Sequence, residues 1–334
     1  MASSQPTEKQ LPAFSELPLN PSHPRHSAWG LWGANDEKGT LNLLTDAVVK
    51  RAAAEEIRTG SRISLNWYIN ASAGPSACPP FFARQAFHHH VYLKSPPRVV
   101  VDDTWSFNSQ VSSQWDGLRH IGYQAERLFY GGVTPEEIVG DAAGTKIGIH
   151  NMAEQGIVGR GVLLDFHRWR EETGRVPDYN AFETGSITLQ NLLDVANHQG
   201  TTFRRGDILL IRSGWFAALD ALTTESQKAL AMREGFPTLS GLEQSTEMLE
   251  WLWSNHFAAV GGDAASFECY PPQKDFYLHE VLLAGWGCPI GELFHLERLS
   301  EKCRETGRYH FFVTSEPCNV VGGVASPPNI LAIF

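Results

Sequence analysis

Gly161-Val162-Leu163-Leu164-Asp165-Phe166 and Asp207-Ile208-Leu209-Leu210-Ile211-Arg212 are short apolar runs of branched side chains, each opened by Gly or Asp and closed by a turn toward polar residues. Runs this short, with no polar alternation, read as strands buried on both faces in a sheet covered by helices. Working outward, residues 98–101, 257–261, 290–294 and 310–314 repeat the pattern. Helical signals fall between them. Thr45 can cap a helix over 46–58 that stops at Gly60, and Thr134-Pro135-Glu136-Glu137 puts Pro at a first helical position with acids in the first turn. Leu189, Leu192, Leu193 and Ala196 have helical spacing, as do Met248, Leu249, Leu252 and Trp253. The class is therefore α/β or mixed α+β. Residues 1–27, rich in Pro, Ser and polar side chains without periodicity, read as a flexible or surface-draped arm. No repeat or composition shift divides the rest, so 28–334 is expected to be one domain.

Composition agrees. Of 334 residues 42% are apolar, and 30 Gly bring that fraction to about half, the make-up of a globular chain with a sizeable core. Lys+Arg 27 against Asp+Glu 37 gives a net charge of −10 with no basic block, which argues against a nucleic-acid partner. Ten Trp and eighteen Phe supply aromatic surface suited to an apolar cleft. The five cysteines, Cys78, Cys269, Cys288, Cys303 and Cys318, are odd in number and form no C-x2-C pair, against both a disulfide framework and a zinc ribbon. No secretory leader and no run of about 20 apolar residues is seen, so the expectation is a cytoplasmic protein with no membrane partner. G-x-G-x-x-G, G-x4-G-K-[ST] and G-x-S-x-G are all missing, so no nucleotide or other organic cofactor is expected.

Chemistry concentrates in Ser112-Ser113-Gln114-Trp115-Asp116-Gly117-Leu118-Arg119-His120. If its first half is extended, Gln114 and Asp116 share one face and Trp115 takes the other, and Gly117 permits a turn that returns His120 toward the first face. Such a cluster could bind a divalent cation or orient a proton-transfer histidine; an Asp bonding a turn and a His paired to backbone is the plainer reading. Tyr277-Leu278-His279-Glu280-Val281-Leu282-Leu283 reads as an apolar helix ended by Gly285. In the strand that follows, alternation places Glu292 with Ile290 and Phe294 against an apolar layer, where a carboxylate must be neutralised, ion-paired or metal-bound. His88 and His90 share a face of a strand candidate, with His89 on the other, and read as pocket lining or ordinary bonded histidines before metal ligands. Asp263 and Glu268 either line a cleft or form turns.

These motifs, in this order, resemble the cyclase family that includes metal-dependent kynurenine formamidases and isatin hydrolases. The resemblance runs from Trp29 to Phe334. It is carried by Trp32-Gly33-Ala34-Asn35-Asp36 through Gly39-Thr40-Leu41-Asn42-Leu43-Leu44, then by Gln114 to His120, and by Gly156-Ile157-Val158-Gly159-Arg160-Gly161 into Asp165. It continues through Gly206 to Trp215, His279, Gly291-Glu292-Leu293 and Asn319-Val320-Val321-Gly322-Gly323 with Ser326-Pro327. It implies one mixed α/β catalytic domain with a barrel-like β core surrounded by helices, homo-oligomers, and Zn or Mn in the hydrolytic members. Their H-x3-H-x-D-x3-H signature places Asp116 as a ligand and His120 as the proton-transfer residue, but puts Gln110 and Gln114 where two ligand histidines belong. The chain thus resembles a Gln-Trp-Asp branch. His279 and Glu292 match the later ligands, leaving Asp116, His279 and Glu292 for one divalent ion with Gln114 as a weak fourth oxygen donor; this shell favours Mn or Mg over Zn.

The expected function is hydrolase-like: attack on a carbonyl of a small aromatic or apolar metabolite (an amide, formamide, lactam or lactone), with His120 moving the proton and Trp115, His88, His90 and Gln114 contacting substrate. Its alternatives are a metal-free cyclase, dehydratase or isomerase of a polyketide-type or other secondary metabolite, with His120 held by Asp116 as base, and a metabolite-binding protein without turnover.

Overall fold

The computed structural model describes residues 9–72, 79–141, 143–234 and 237–334. Strands in chain order are β1 (Arg62–Ser64), β2 (His88–Leu93), β3 (Val101–Ser106), β4 (Gln114–Asp116), β5 (Ile157–Leu164), β6 (Gly185–Ile187), β7 (Ile208–Ile211), β8 (Ser240–Leu242), β9 (Ala259–Gly262), β10 (Ile290–Glu292), β11 (His310–Ser315), β12 (Ala325–Ser326) and β13 (Ile330–Ile333). Nine of them form one mixed sheet in the order β1-β13-β11-β5-β7-β9-β10-β4-β12. The centre, β5-β7-β9-β10, is parallel, and both flanks are antiparallel. β7 and β9 are buried at every position, as the uninterrupted apolar runs require of strands covered on both faces. The sheet curls into a half-barrel surrounded by helices, and just beyond β1 Asn66 bridges to Phe294 just beyond β10. This is the mixed α/β architecture expected, with a barrel-like but open core.

Helix starts follow local chemistry. Thr45 accepts from Val48 N–H at the head of Asp46–Glu56, and Thr188 and Ser245 do the same for Leu189–Gln199 and Thr246–Ser254. Thr134-Pro135 opens a single turn, Pro135–Ile138. The expected helix at 277–283 starts later and is π-helical, Glu280–Trp286, closing at Gly287 rather than Gly285. The strand expected at 98–101 is displaced to β3, because 95–98 form the hairpin turn in which Arg98 N–H reaches Ser95.

Residues 9–27 lie against the rest of the chain, with Trp253 Nε1 donating to Pro12 O at 2.8 Å. The segment drapes over the surface but sinks Phe14 and Leu17 into the main core, where Phe14 stacks on His26 at 4.6 Å and meets Trp286 edge-on at 6.4 Å. Sparse apolar residues without period gave no sign of this; two side chains suffice once a groove receives them. Cys269, Cys288, Cys303 and Cys318 are free thiols, while Cys78 lies outside the described residues. Among the described residues no helix is long and apolar enough to cross a membrane.

Candidate active site

The site is built where β4 lies between β10 and β12. Antiparallel pairing sets Gln114 opposite Glu292 and Asp116 opposite Ile290, so Gln114, Asp116 and Glu292 project from one face of two adjacent strands. Gly117 then turns the chain. Its amide donates to Val324 O at 3.0 Å, and a Cβ there would stand 2.6 Å from that same backbone oxygen, so glycine is required by the close approach. His120 N–H closes the turn on Gly117 O, and the imidazole returns over the strand with Nε2 3.8 Å from Asp116 Oδ2.

His279 arrives from the residue preceding the π-helical segment. Glu268 holds it: Oε1 accepts from His279 N at 2.8 Å and from Nδ1 at 2.6 Å, and Oε2 accepts from Leu278 N and Gln244 Nε2, each at 2.7 Å. A carboxylate so placed accepts the Nδ1 proton and leaves Nε2 directed at the cavity, the carboxylate-oriented arrangement common to ligating and catalytic histidines. Nε2 lies 3.2 Å from Glu292 Oε1 and 4.0 Å from Asp116 Oδ2. Burial works against charge on His279, but the bonds to Glu268 and Glu292 outweigh it and carry its pKa up to about 10. Asp116, wholly buried, is pushed above the usual carboxylate range by desolvation, which the His120 and His279 imidazoles only partly offset.

The donors around these acids are amides. Gln110 Nε2 donates to Asp116 Oδ1 at 2.6 Å and lies 3.3 Å from both ring nitrogens of His120. Gln114 Nε2 donates to Glu292 Oε2 at 2.9 Å and to Asp116 Oδ1 at 3.3 Å, while Phe267 N–H completes Glu292. Asp116 Oδ2 accepts no hydrogen bond among the described residues and has only the two imidazoles at 3.8 and 4.0 Å beside it. A buried carboxylate oxygen with no donor is costly unless something cationic meets it. With Glu292 and His279 it offers three ligand atoms, all within 4.8 Å of one another. Two carboxylates and an imidazole around an orphaned oxygen fit a divalent ion.

A cavity of about 230 Å³ opens over this floor, lined by His120, His279, Glu268 and Glu292 and walled by Phe82, Ile121, Tyr270 and Tyr277, with Arg84 beside them. The sequence expectations divide sharply here. Asp116, His120, His279 and Glu292 come together. Trp115 does not face the cavity: it is buried on the reverse side of β4, edge-on to Phe294 at 5.0 Å and bonded to Ser315 Oγ at 2.9 Å, as strand alternation demands. His88 and His90 are solvent-exposed on the separate β2-β3 hairpin and line no part of the cavity. Gln114 is fully buried beneath the floor and lines no part of the cavity, and its oxygen turns toward Arg84 at 3.4 Å rather than toward Asp116, His279 and Glu292, which departs from the expected substrate contact and fourth oxygen donor. Phe294 does not share the face of Glu292 either. Leu293 has φ +54°, which ends β10 and throws Phe294 onto Trp115, so the layer around Glu292 is polar rather than apolar. Asp263 is structural, accepting from Ser213, Gly214 and Trp215 at the head of Trp215–Asp220.

The family model described as "Putative cyclase" matches residues 7–269. The chain belongs to the cyclase family. A solved structure of a "novel cyclase" is 29% identical to this cyclase-family chain, covers 92% of it and 99% of its own length, and superposes with a TM-score of 0.77. Isatin hydrolase A from Ralstonia solanacearum is 16% identical over 82% of this chain and 92% of that one, TM-score 0.57. Isatin hydrolase A from Labrenzia aggregata is 15% identical over 88% and 98%, TM-score 0.55. At these identities the isatin hydrolases show a shared fold. No curated protein matches the chain. The cyclase fold thus supplies the scaffold, while the amide-lined floor is a property of this chain's own residues.

Proposed function

We propose that this protein is a hydrolase-like enzyme acting on a carbonyl of a small aromatic or apolar metabolite, an amide, formamide, lactam or lactone. One observation carries the reading: His120, a fifth exposed to the cavity, stands 3.8 Å from a buried carboxylate oxygen that accepts no hydrogen bond. Asp116, His279 and Glu292 would hold a divalent ion, whose chemistry when bound is Lewis acidity toward a carbonyl oxygen. His120 takes the proton from the attacking water and returns it to the leaving nitrogen or oxygen. Gln110 limits the swing of the ring, Glu268 holds His279, and Phe82, Tyr270 and Tyr277 exclude water around an apolar substrate. The oxygen-rich donor set favours Mn or Mg over Zn. The chain's own pattern, Gln110 and Gln114 ahead of Asp116, supports placing it in a Gln-Trp-Asp branch of the family.

The amide donors to Asp116 and Glu292 favour one second reading, a metal-free cyclase or isomerase in which His120 withdraws an acidic proton from a ketone or phenol. Elemental analysis separates the two. A stoichiometric first-row ion or Mg in purified protein, lost in Asp116→Ala, supports the first reading; metal-free protein that turns over substrate overturns it. His120→Ala abolishes turnover under either, with an unchanged circular dichroism spectrum. Label from solvent water enters the product of hydrolysis and not that of cyclisation.

A further inference from the structure

The cavity holds a cation whose donors are only partly used. Arg84 lines it with Phe82, His120, Tyr270 and Tyr277. Its Nη1 donates to Gln110 O at 2.8 Å and to Gln114 Oε1 at 3.4 Å, so one corner of the guanidinium is pinned to the segment that leads into Asp116. The plane lies over the Phe82 ring, 5.0 Å from its centroid, and Phe82 in turn meets Tyr270 edge-on at 6.4 Å. Nε and Nη2 have no protein acceptor among the described residues, and no carboxylate there stands within ion-pair distance of Arg84. The neighbouring acids are occupied: Glu268 accepts four hydrogen bonds, and Glu292 accepts from Phe267 N, Gln114 and His279. They do not compete for the guanidinium.

A half-buried, stacked and pinned guanidinium whose Nε and Nη2 present three N–H bonds that meet no acceptor among the described residues is preorganised for a planar oxyanion, which it can grip through two parallel bonds. Its side-chain freedom is already restricted, so little ordering cost is left for the ligand to meet. The walls beside it are aromatic, and a volume of about 230 Å³ admits one small ring system.

We propose that Arg84 is the specificity-determining residue of this cavity and takes the carboxylate of a small aromatic acid, whose ring lies among Phe82, Tyr270 and Tyr277. This rests on the cavity being the substrate site of the proposed enzyme, and it adds the substrate's charge: the molecule presented to His120 is an anion.

Benzoate and benzamide test it, since they share shape and differ in charge. Titrated into the full chain and followed by calorimetry, benzoate is expected to bind tighter than benzamide by roughly tenfold to a hundredfold, the range of charge-assisted hydrogen bonds. Arg84→Gln removes the preference, and Arg84→Lys restores part of it, because a point charge cannot make the bidentate grip. Equal affinity of the wild-type chain for the two probes, no saturable benzoate binding, or an undiminished preference in a folded Arg84→Gln variant overturns the proposal. The wild-type comparison stands even if the variants do not fold. His120→Ala retains the benzoate preference, so Arg84-dependent binding in a protein without His120-dependent turnover defeats the enzymatic reading alone.

Discussion

Trp115 decides between two roles for an aromatic beside a site carboxylate, and its replacement has a calculable cost. As a substrate wall, Trp115→Ala would weaken ligand binding and spare stability. The structure assigns the reverse. The indole is completely buried, packs edge-on against Phe294 at 5.0 Å and donates to Ser315 Oγ at 2.9 Å. A buried Trp removes about 200 Å² of largely apolar surface from water, worth about 5 kcal/mol at roughly 25 cal/mol per Å². Measured truncations of buried aromatics give about 3–5 kcal/mol, so about 4 kcal/mol is the expectation. With an unfolding entropy near 2.1 cal/mol/K per residue, 334 residues give roughly 0.7 kcal/mol/K, so Tm falls by about 6 °C. Trp115→Phe keeps most of the packing and loses the Ser315 bond, for about 1–2 kcal/mol and roughly 2 °C. Calorimetry with urea titration reads both. A Trp115→Ala protein melting with the wild type would refute the core assignment and with it the placement of β4's two faces.

Further outcomes follow from the same geometry. Glu268→Gln removes the nearer of the two carboxylates bonded to His279, costing about 3 kcal/mol in urea unfolding, and NMR of the imidazole shows its pKa falling from the elevated native value while Glu292 keeps part of the rise. Because that pKa is raised, the stability His279 contributes in the ion-free protein is full below about 6.5 and disappears as pH climbs through about 10; stability that stays level across this window would contradict it. Glu56 runs the other way: burial raises its pKa, but His310, Arg308 and Arg160 more than compensate and bring it down to about 2. Its contribution is present above about 4.5 and lost as pH drops toward 2, so the stability gap between wild type and Glu56→Gln narrows over that interval. Gly117→Ala forces Val324 O away, destabilising by about 1–3 kcal/mol and lowering turnover further than the stability loss explains, since His120 hangs on that turn; unchanged turnover would show the turn to be irrelevant.

The chain's own order of residues determined a good deal. Uninterrupted apolar runs marked the second half of β5 from Gly161, β7 and most of β9 as doubly covered strands, since burial on both faces leaves no room for polar alternation, while the Arg160-bearing start of β5 gave no such run and Phe166 opens a helix instead of ending the strand. The period of two separated Gln114 and Asp116 from Trp115, and Gly117 announced the turn that brings back His120. Those inferences are local, and local sterics enforce them. What is nonlocal had to wait for the fold. Glu268 accepts four hydrogen bonds, two from His279, one from Leu278 and one from Gln244, and these donors converge only in the folded chain. Gln110 and Gln114 became donors to acids, rather than substitutes for ligands, because Arg84 claims one amide oxygen and the carboxylates claim the nitrogens. Arg84, Tyr270 and Tyr277 carry no motif, and the positive φ of Leu293 that reverses Phe294 has no glycine to advertise it. Periodicity reports which face of an element a side chain occupies; which faces meet, and which charges then find partners, depends on packing between segments far apart in the chain, and only the tertiary structure decides that.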